Sequence, residues 1–171
     1  MTENLHTLSV LVENKPGVLT RVAGLFARRD FNIKSLAVGE TENENISRMT
    51  IIVDADLGPL EQVTKQLNKL VNVLKVVELP PNDLVERRLL LLKVRADDAT
   101  RTSVLEIVDL FRAHVIHVGS DNVVVESVGS RGKLEALLAS LEPYGVREVV
   151  QSGAVAIGRS PRSLTDQFKE K

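Results

Sequence analysis

Two consecutive prolines, Pro80-Pro81, followed by Asn82-Asp83, split this chain into two halves that read in the same order. No central strand runs through such a stretch, because proline lacks the N–H a ladder needs and Asn-Asp favours a turn. On the amino side, Leu8, Val10 and Val12 alternate with Thr7, Ser9 and Glu13, the period of a half-buried strand. Val18, Leu19, Val22, Leu25 and Phe26 then recur at helical spacing. Residues 31–38 read as a strand, the polar stretch 39–45 as a turn, and 48–53 as a strand with Met49, Ile51 and Val53 on one face. Asp56, Gly58 and Pro59 open a helix carried by Leu60, Val63, Leu67 and Leu70, and residues 73–79 close the set as a strand. The order β-α-β-β-α-β predicts one antiparallel sheet with two helices on one face.

Beyond the prolines the order recurs without visible sequence repetition. Residues 88–95 read as a strand, and Val104, Ile107, Val108 and Phe111 mark a helix. Residues 115–118 and 123–128 form a hairpin through Gly119-Ser120-Asp121. Leu134, Leu137, Leu138 and Leu141 mark a second helix, and residues 146–157 supply a last strand. The expected class is α+β: two tandem ferredoxin-like βαββαβ domains, at 1–80 and 85–158, joined by a linker at 81–84. A polar, charged tail at 159–171 is expected to be flexible. At 171 residues the chain has the length for two such small domains.

Composition narrows the function. A formal net charge of −1 argues against bulk attraction to nucleic acid or acidic membranes. Four Phe, one Tyr and no Trp leave few platforms on which bases could stack. With no cysteine, disulfide and thiolate chemistry are excluded. The apolar run Leu89-Leu90-Leu91-Leu92 is far shorter than the ~20 residues of a membrane span. A soluble, cytoplasmic protein is expected. Among the histidines His6, His114 and His117, the last two are three residues apart, which in a regular strand places them on opposite faces. No metal site is expected from them. Ser9, Ser35 and Ser47 lie in or beside strands without a nucleophile elbow, and Gly129-Ser130-Arg131-Gly132 lacks the lysine-serine ending of a phosphate loop. No catalytic residue is expected.

What remains is the turn Asn14-Lys15-Pro16-Gly17-Val18-Leu19, between the first strand and first helix. Asn14 can lend a side-chain oxygen near the helix start, Pro16 suits a first helical turn, and Gly17 leaves the backbone open to close approach. Free N–H groups at a helix N-terminus suit a carboxylate. The same residues equally suit a strand-to-helix turn with no ligand. The second half has Ala96-Asp97-Asp98-Ala99-Thr100 in the equivalent place and lacks the Asn-x-Pro-Gly pattern. Asn32 and Ile33 enter the next strand at the far end of the first helix, so one ligand could touch them and the turn only if a second copy supplies one of the two.

The segment from Ser9 to Val22 resembles the opening of an ACT domain, a small-molecule sensing module. With Gly24-Leu25-Phe26-Ala27-Arg28-Arg29, Phe31-Asn32-Ile33-Lys34-Ser35-Leu36, Ser47-Arg48-Met49-Thr50-Ile51 and the stretch from Gln66 to Val76, it is similar to the small, regulatory subunits of acetolactate synthase. Gly132-Lys133-Leu134-Glu135-Ala136-Leu137-Leu138 and Val149-Val150-Gln151-Ser152-Gly153 extend the resemblance to the second half. The resemblance implies a subunit, not itself catalytic, that activates a thiamine-diphosphate large subunit and confers feedback inhibition by valine or a related branched-chain amino acid. Thiamine diphosphate, Mg and FAD are then expected on the catalytic subunit and no cofactor on this chain. It implies a homodimer through ACT domains, with valine held by Asn14, Pro16, Gly17, Val18 and Leu19 of one chain and Asn32 and Ile33 of its mate. Two alternatives are an ACT-type sensor serving another enzyme, and a small acylphosphatase-like hydrolase. The hydrolase would need an arginine in an anion-binding loop, whereas Arg21 is expected one turn into a helix.

Overall fold

A computed structural model describes residues 4–169 of the chain. The first sheet contains β1 (Leu5–Glu13), β2 (Ile33–Glu40), β3 (Ile46–Asp54) and β4 (Val73–Leu79), in the order β2-β3-β1-β4. All its pairs are antiparallel. Helices α1 (Val18–Arg28) and α2 (Leu57–Leu67) cross one face. The alternation explains the packing. Leu8, Val10 and Val12 of β1 and Met49, Ile51 and Val53 of β3 meet Val18, Val22 and Phe26 of α1 and Leu60, Val63 and Leu67 of α2 in a single core. α1 ends where Asp30 takes a left-handed conformation (φ 59°), so that Phe31 folds back edge-on to Phe26 with ring centroids 6.2 Å apart.

The second sheet follows the same plan, with β5 (Leu84–Arg95), β6 (His114–Val118), β7 (Asn122–Gly129) and β8 (Val146–Gln151) in the order β6-β7-β5-β8. Helices α3 (Arg101–Leu110) and α4 (Arg131–Leu141) supply Val104, Val108, Leu134, Leu137 and Leu141 to a core shared with Leu90, Leu92, Val94, Val123 and Val125. The fold is therefore α+β with two ferredoxin-like βαββαβ units, as the element order predicts.

The carboxyl end differs from the expectation. Residues 146–157 are not one strand: β8 stops at Gln151, and after a break at Ser152-Gly153-Ala154 a separate β9 (Val155–Gly158) follows. Compact packing groups residues 86–153 as one unit, and the segment from Ala154 onward joins the first unit instead. There it covers the sheet face opposite α1 and α2. The Ala154 N–H donates to the buried Ser35 hydroxyl at 2.7 Å, and Arg48 donates to the Ala156 carbonyl at 3.2 Å and to the Ser9 hydroxyl at 2.7 Å. Arg159 closes the turn onto the Asp83 carbonyl at 2.9 Å. Where a loose tail was expected, α5 (Leu164–Lys169) forms with Leu164 buried. This cover explains why Ser9, Ser35 and Thr50 are buried: they lie on a sheet face that meets polar backbone rather than a helix.

Candidate functional site

The chain leaves β1 at Glu13 and enters α1 at Val18, with Gly17 as the helix cap. Gly17 has φ +84°, a left-handed conformation that glycine adopts without cost, and the space where a Cβ would stand is empty for 4 Å around. Pro16 therefore precedes the cap rather than occupying the first helical turn. Asn14 does not cap the helix either. Its amide nitrogen donates to Glu40 at 3.2 Å and to the Glu44 carbonyl at 2.8 Å, towards the β2–β3 hairpin. No side chain caps α1 at all. The Val18 N–H reaches the Lys15 carbonyl at 3.4 Å, whereas the Leu19 and Thr20 N–H groups donate to no acceptor among the described residues. Asn14, Pro16, Gly17 and Leu19 are exposed and Val18 is buried in the core.

Charge is distributed unevenly about this turn. On the α1 side, the Arg21 guanidinium is held 2.7 Å from the Asn72 side-chain oxygen, and Asn72 in turn donates to Glu13 at 2.9 Å. Lys15 lies 3.0 Å from the same Glu13 carboxylate. Hydrogen bonds from Asn72 and Lys15 hold the Glu13 carboxyl below its ordinary range. On the hairpin side stands Glu40, which accepts from the Asn14 amide. The turn thus has a basic flank with unused N–H groups and an acidic flank with a carboxylate, the polarity that suits a zwitterion. Glu40 and Arg21 were not among the residues expected there. Glu40 falls near the polar turn, where no periodic signal singles it out.

Asn32 and Ile33 lie elsewhere. Ile33 pairs with Val53, which pairs with His6, whereas the turn follows Glu13, seven residues further along β1. At about 3.3 Å per residue the two places are roughly 23 Å apart along the sheet. Within one chain the structure does not bring Asn32 and Ile33 to the turn. β2, which starts at Ile33 just after Asn32, is an edge strand, and its other end at Glu40 touches Asn14.

A bulge between Val115 and His117 changes the strand parity. His114 pairs with Glu126 and His117 with Val124, so both histidines share one face, contrary to the regular-strand expectation. Among the described residues no group of three or more His, Asp or Glu side chains is placed to hold a metal ion. Arg21 does lie within α1, one turn from its start. Gly129-Ser130-Arg131-Gly132 is a helix start, where the Ser130 hydroxyl accepts the Lys133 N–H. At the equivalent turn of the second unit, one Asp97 carboxylate oxygen accepts the Ala99 N–H at 3.1 Å, the Thr100 N–H at 3.0 Å and the Thr100 hydroxyl at 3.0 Å.

Comparisons with known proteins agree with this architecture. Residues 8–75 match the family model described as the AHAS small subunit-like ACT domain, and residues 87–160 match the model described as the small subunit of acetolactate synthase. The chain is 59% identical to the acetolactate synthase small subunit of Mycobacterium bovis, over 96% of this chain and 98% of that one. It is 47% identical to a probable acetolactate synthase small subunit of Archaeoglobus fulgidus, over 90% and 96% of the two chains. The crystal structure of the small subunit from Thermotoga maritima superposes with a TM-score of 0.84 at 41% identity, covering 92% of this chain and 99% of that one. The chain belongs to the acetolactate synthase small subunit family.

Proposed function

We propose that this chain is a regulatory, non-catalytic subunit that activates the thiamine-diphosphate large subunit of acetolactate synthase. It makes that enzyme sensitive to valine or a related branched-chain amino acid. On this reading it acts in the cytoplasm, and thiamine diphosphate, Mg and FAD are carried by the catalytic partner. The observation that carries the proposal is the uncapped α1 N-terminus, whose Leu19 and Thr20 N–H groups are unused, next to an Asn14–Glu40 contact at the end of an edge strand.

The effector carboxylate meets the helix N-terminus around Gly17, Val18 and Leu19, and its ammonium meets the Asn14 side-chain oxygen and Glu40. Pro16 and Leu19, 44% exposed, flank the aliphatic side chain. The missing wall comes from a second chain. β2 has one unpaired edge. Antiparallel pairing of two such edges about a two-fold axis sets the start of one β2 beside the end of the other. Asn32 and Ile33 of the partner then stand near Glu40 and Asn14. The exposure of Val38 (46%) on this edge fits a surface that is covered in a dimer.

An effector that must be released binds in the micromolar to millimolar range, about −8 to −4 kcal/mol. Inhibition requires that it favour one state of the complex, since equal affinity for both shifts nothing. The test is a holoenzyme reconstituted with Asn14→Ala. Activation of the large subunit is expected to persist while valine inhibition is lost. An Asn14→Ala holoenzyme inhibited at wild-type valine concentrations overturns the site.

A further inference from the structure

The sheet face opposite α1 and α2 carries a partly open pocket of about 470 Å³ within the first unit, lined also by β9 and α5. That volume lies in the range of small-molecule sites, roughly 300–1,000 Å³. Its walls are of two kinds. Val77, Leu79, Ile157 and Leu164 supply an apolar side; Glu78, Asp83 and Arg162 stand at the lining too, and Arg48 and Glu42 supply opposite charges on the strand and hairpin side. These two charges do not pair with one another. The half-buried Arg48 is tied by Nε to the Ser9 hydroxyl at 2.7 Å and by Nη2 to the Ala156 carbonyl at 3.2 Å. Glu42 is tied instead to the Thr165 hydroxyl at 3.0 Å.

We propose that this cavity is a second small-molecule site, separate from the Asn14–Leu19 turn, and that it takes a zwitterion bearing an apolar chain, of the α-amino acid class. Each charge is held in place by neutral partners on a different element, β3 for Arg48 and the β2–β3 hairpin for Glu42. Among the described residues the guanidinium makes no close ion pair; burial pushes its pKa down, and the more distant Glu42 charge pushes it back up. A carboxylate on Arg48 and an ammonium on Glu42 satisfy both groups at once, which neither a simple anion nor a simple cation does. The apolar wall then receives the side chain. Because the turn lies at the end of β1 beside α1, and the cavity lies on the opposite face, the two sites share no residue.

The test is a titration of the isotopically labelled full chain, read by NMR, with L-leucine, with 4-methylpentanoate (the carboxylate alone) and with 3-methylbutylamine (the amine alone). L-leucine is expected to shift the Arg48 Nε–H and the Ile157 and Leu164 methyl signals, with each half-probe at least about tenfold weaker. Ser160→Trp, which fills the cavity from an exposed position, is expected to abolish these shifts. Glu42→Gln is expected to weaken them about tenfold, and Asn14→Ala to leave them unchanged. The proposal is overturned if those signals stay unmoved up to about 20 mM L-leucine. It is overturned equally if Ser160→Trp responds like the parent, if a half-probe matches L-leucine, or if Asn14→Ala removes the shifts. Failure of the turn site would appear only as loss of effector response in the signals of Gly17 to Thr20, so the two outcomes are separable.

Discussion

The two units repeat one topology, yet their strand-to-helix turns are finished in opposite ways. In the first, Gly17 caps α1 with no side chain, and N–H groups at the helix start are unused. In the second, Asp97 lays its own carboxylate over the turn that leads into α3, satisfying the Ala99 and Thr100 N–H groups. Arg101 fills the neighbouring space, donating to the Ala96, Gly119 and Ser120 carbonyls. A helix N-terminus draws negative charge in either case. One turn carries that charge covalently within its own hydrogen bonds, while the other leaves the N–H groups without a side-chain acceptor. What separates the two turns is the carboxylate, not the fold.

The largest expected effect comes from making the first turn resemble the second. Gly17→Asp is expected to weaken effector binding at least about a hundredfold by calorimetry. Gly17→Asn is the control, since Asn tolerates left-handed backbone about as well and brings no charge. Both variants are expected to lose about 1 kcal/mol of stability from the φ of +84°. Equal effector affinity in the Asn and Asp variants breaks the comparison. Next in size is the polar face beneath the returning segment. Ser35→Ala strands the buried Ala154 N–H and is expected to cost about 1–3 kcal/mol in denaturant unfolding.

The smallest effect is electrostatic and confined to the second turn. Hydrogen bonds from Thr100, side chain first, hold the Asp97 carboxyl below the ordinary carboxylate range. A carboxyl lowered in the folded state contributes stability that is present above the unfolded pKa and lost as the pH falls through the folded one. Asp97→Asn is therefore expected to lower the thermal midpoint slightly at neutral pH. The difference from the parent should vanish as the pH falls below about 4. A difference that persists at pH 2 contradicts the assignment of Asp97 as an ionised acceptor in this turn.

Much of this was legible in the chain. The alternation at Leu8, Val10 and Val12 and the spacing of Val18, Val22 and Phe26 describe the first core directly, because one face is apolar and the other polar. The opposite face was not legible. Ser9, Ser35 and Thr50 look like solvent-facing strand residues, and only the segment from Ala154, more than a hundred residues away in the chain, buries them. Local periodicity carries no information about so distant a cover. The bulge that turns His117 onto the face of His114 is equally silent, since an inserted residue leaves no compositional mark. At the turn, the Asn-x-Pro-Gly pattern marked the place but not the helix boundary. Pro16 suited a first helical turn, whereas the left-handed Gly17 is the cap and places Pro16 before the helix.

The central claim is that the effector site is built from two chains, the turn of one and the β2 start of the other. Mixed dimers test it most directly. Asn14→Ala and Asn32→Ala chains are each expected to show no high-affinity valine binding alone. After co-refolding in equal amounts, each mixed dimer pairs an intact turn with an intact β2 start once. About a quarter of the wild-type sites should therefore return, by calorimetric stoichiometry. If the mixture binds no more valine than the two variants measured separately, the site is not shared between chains and the account is wrong.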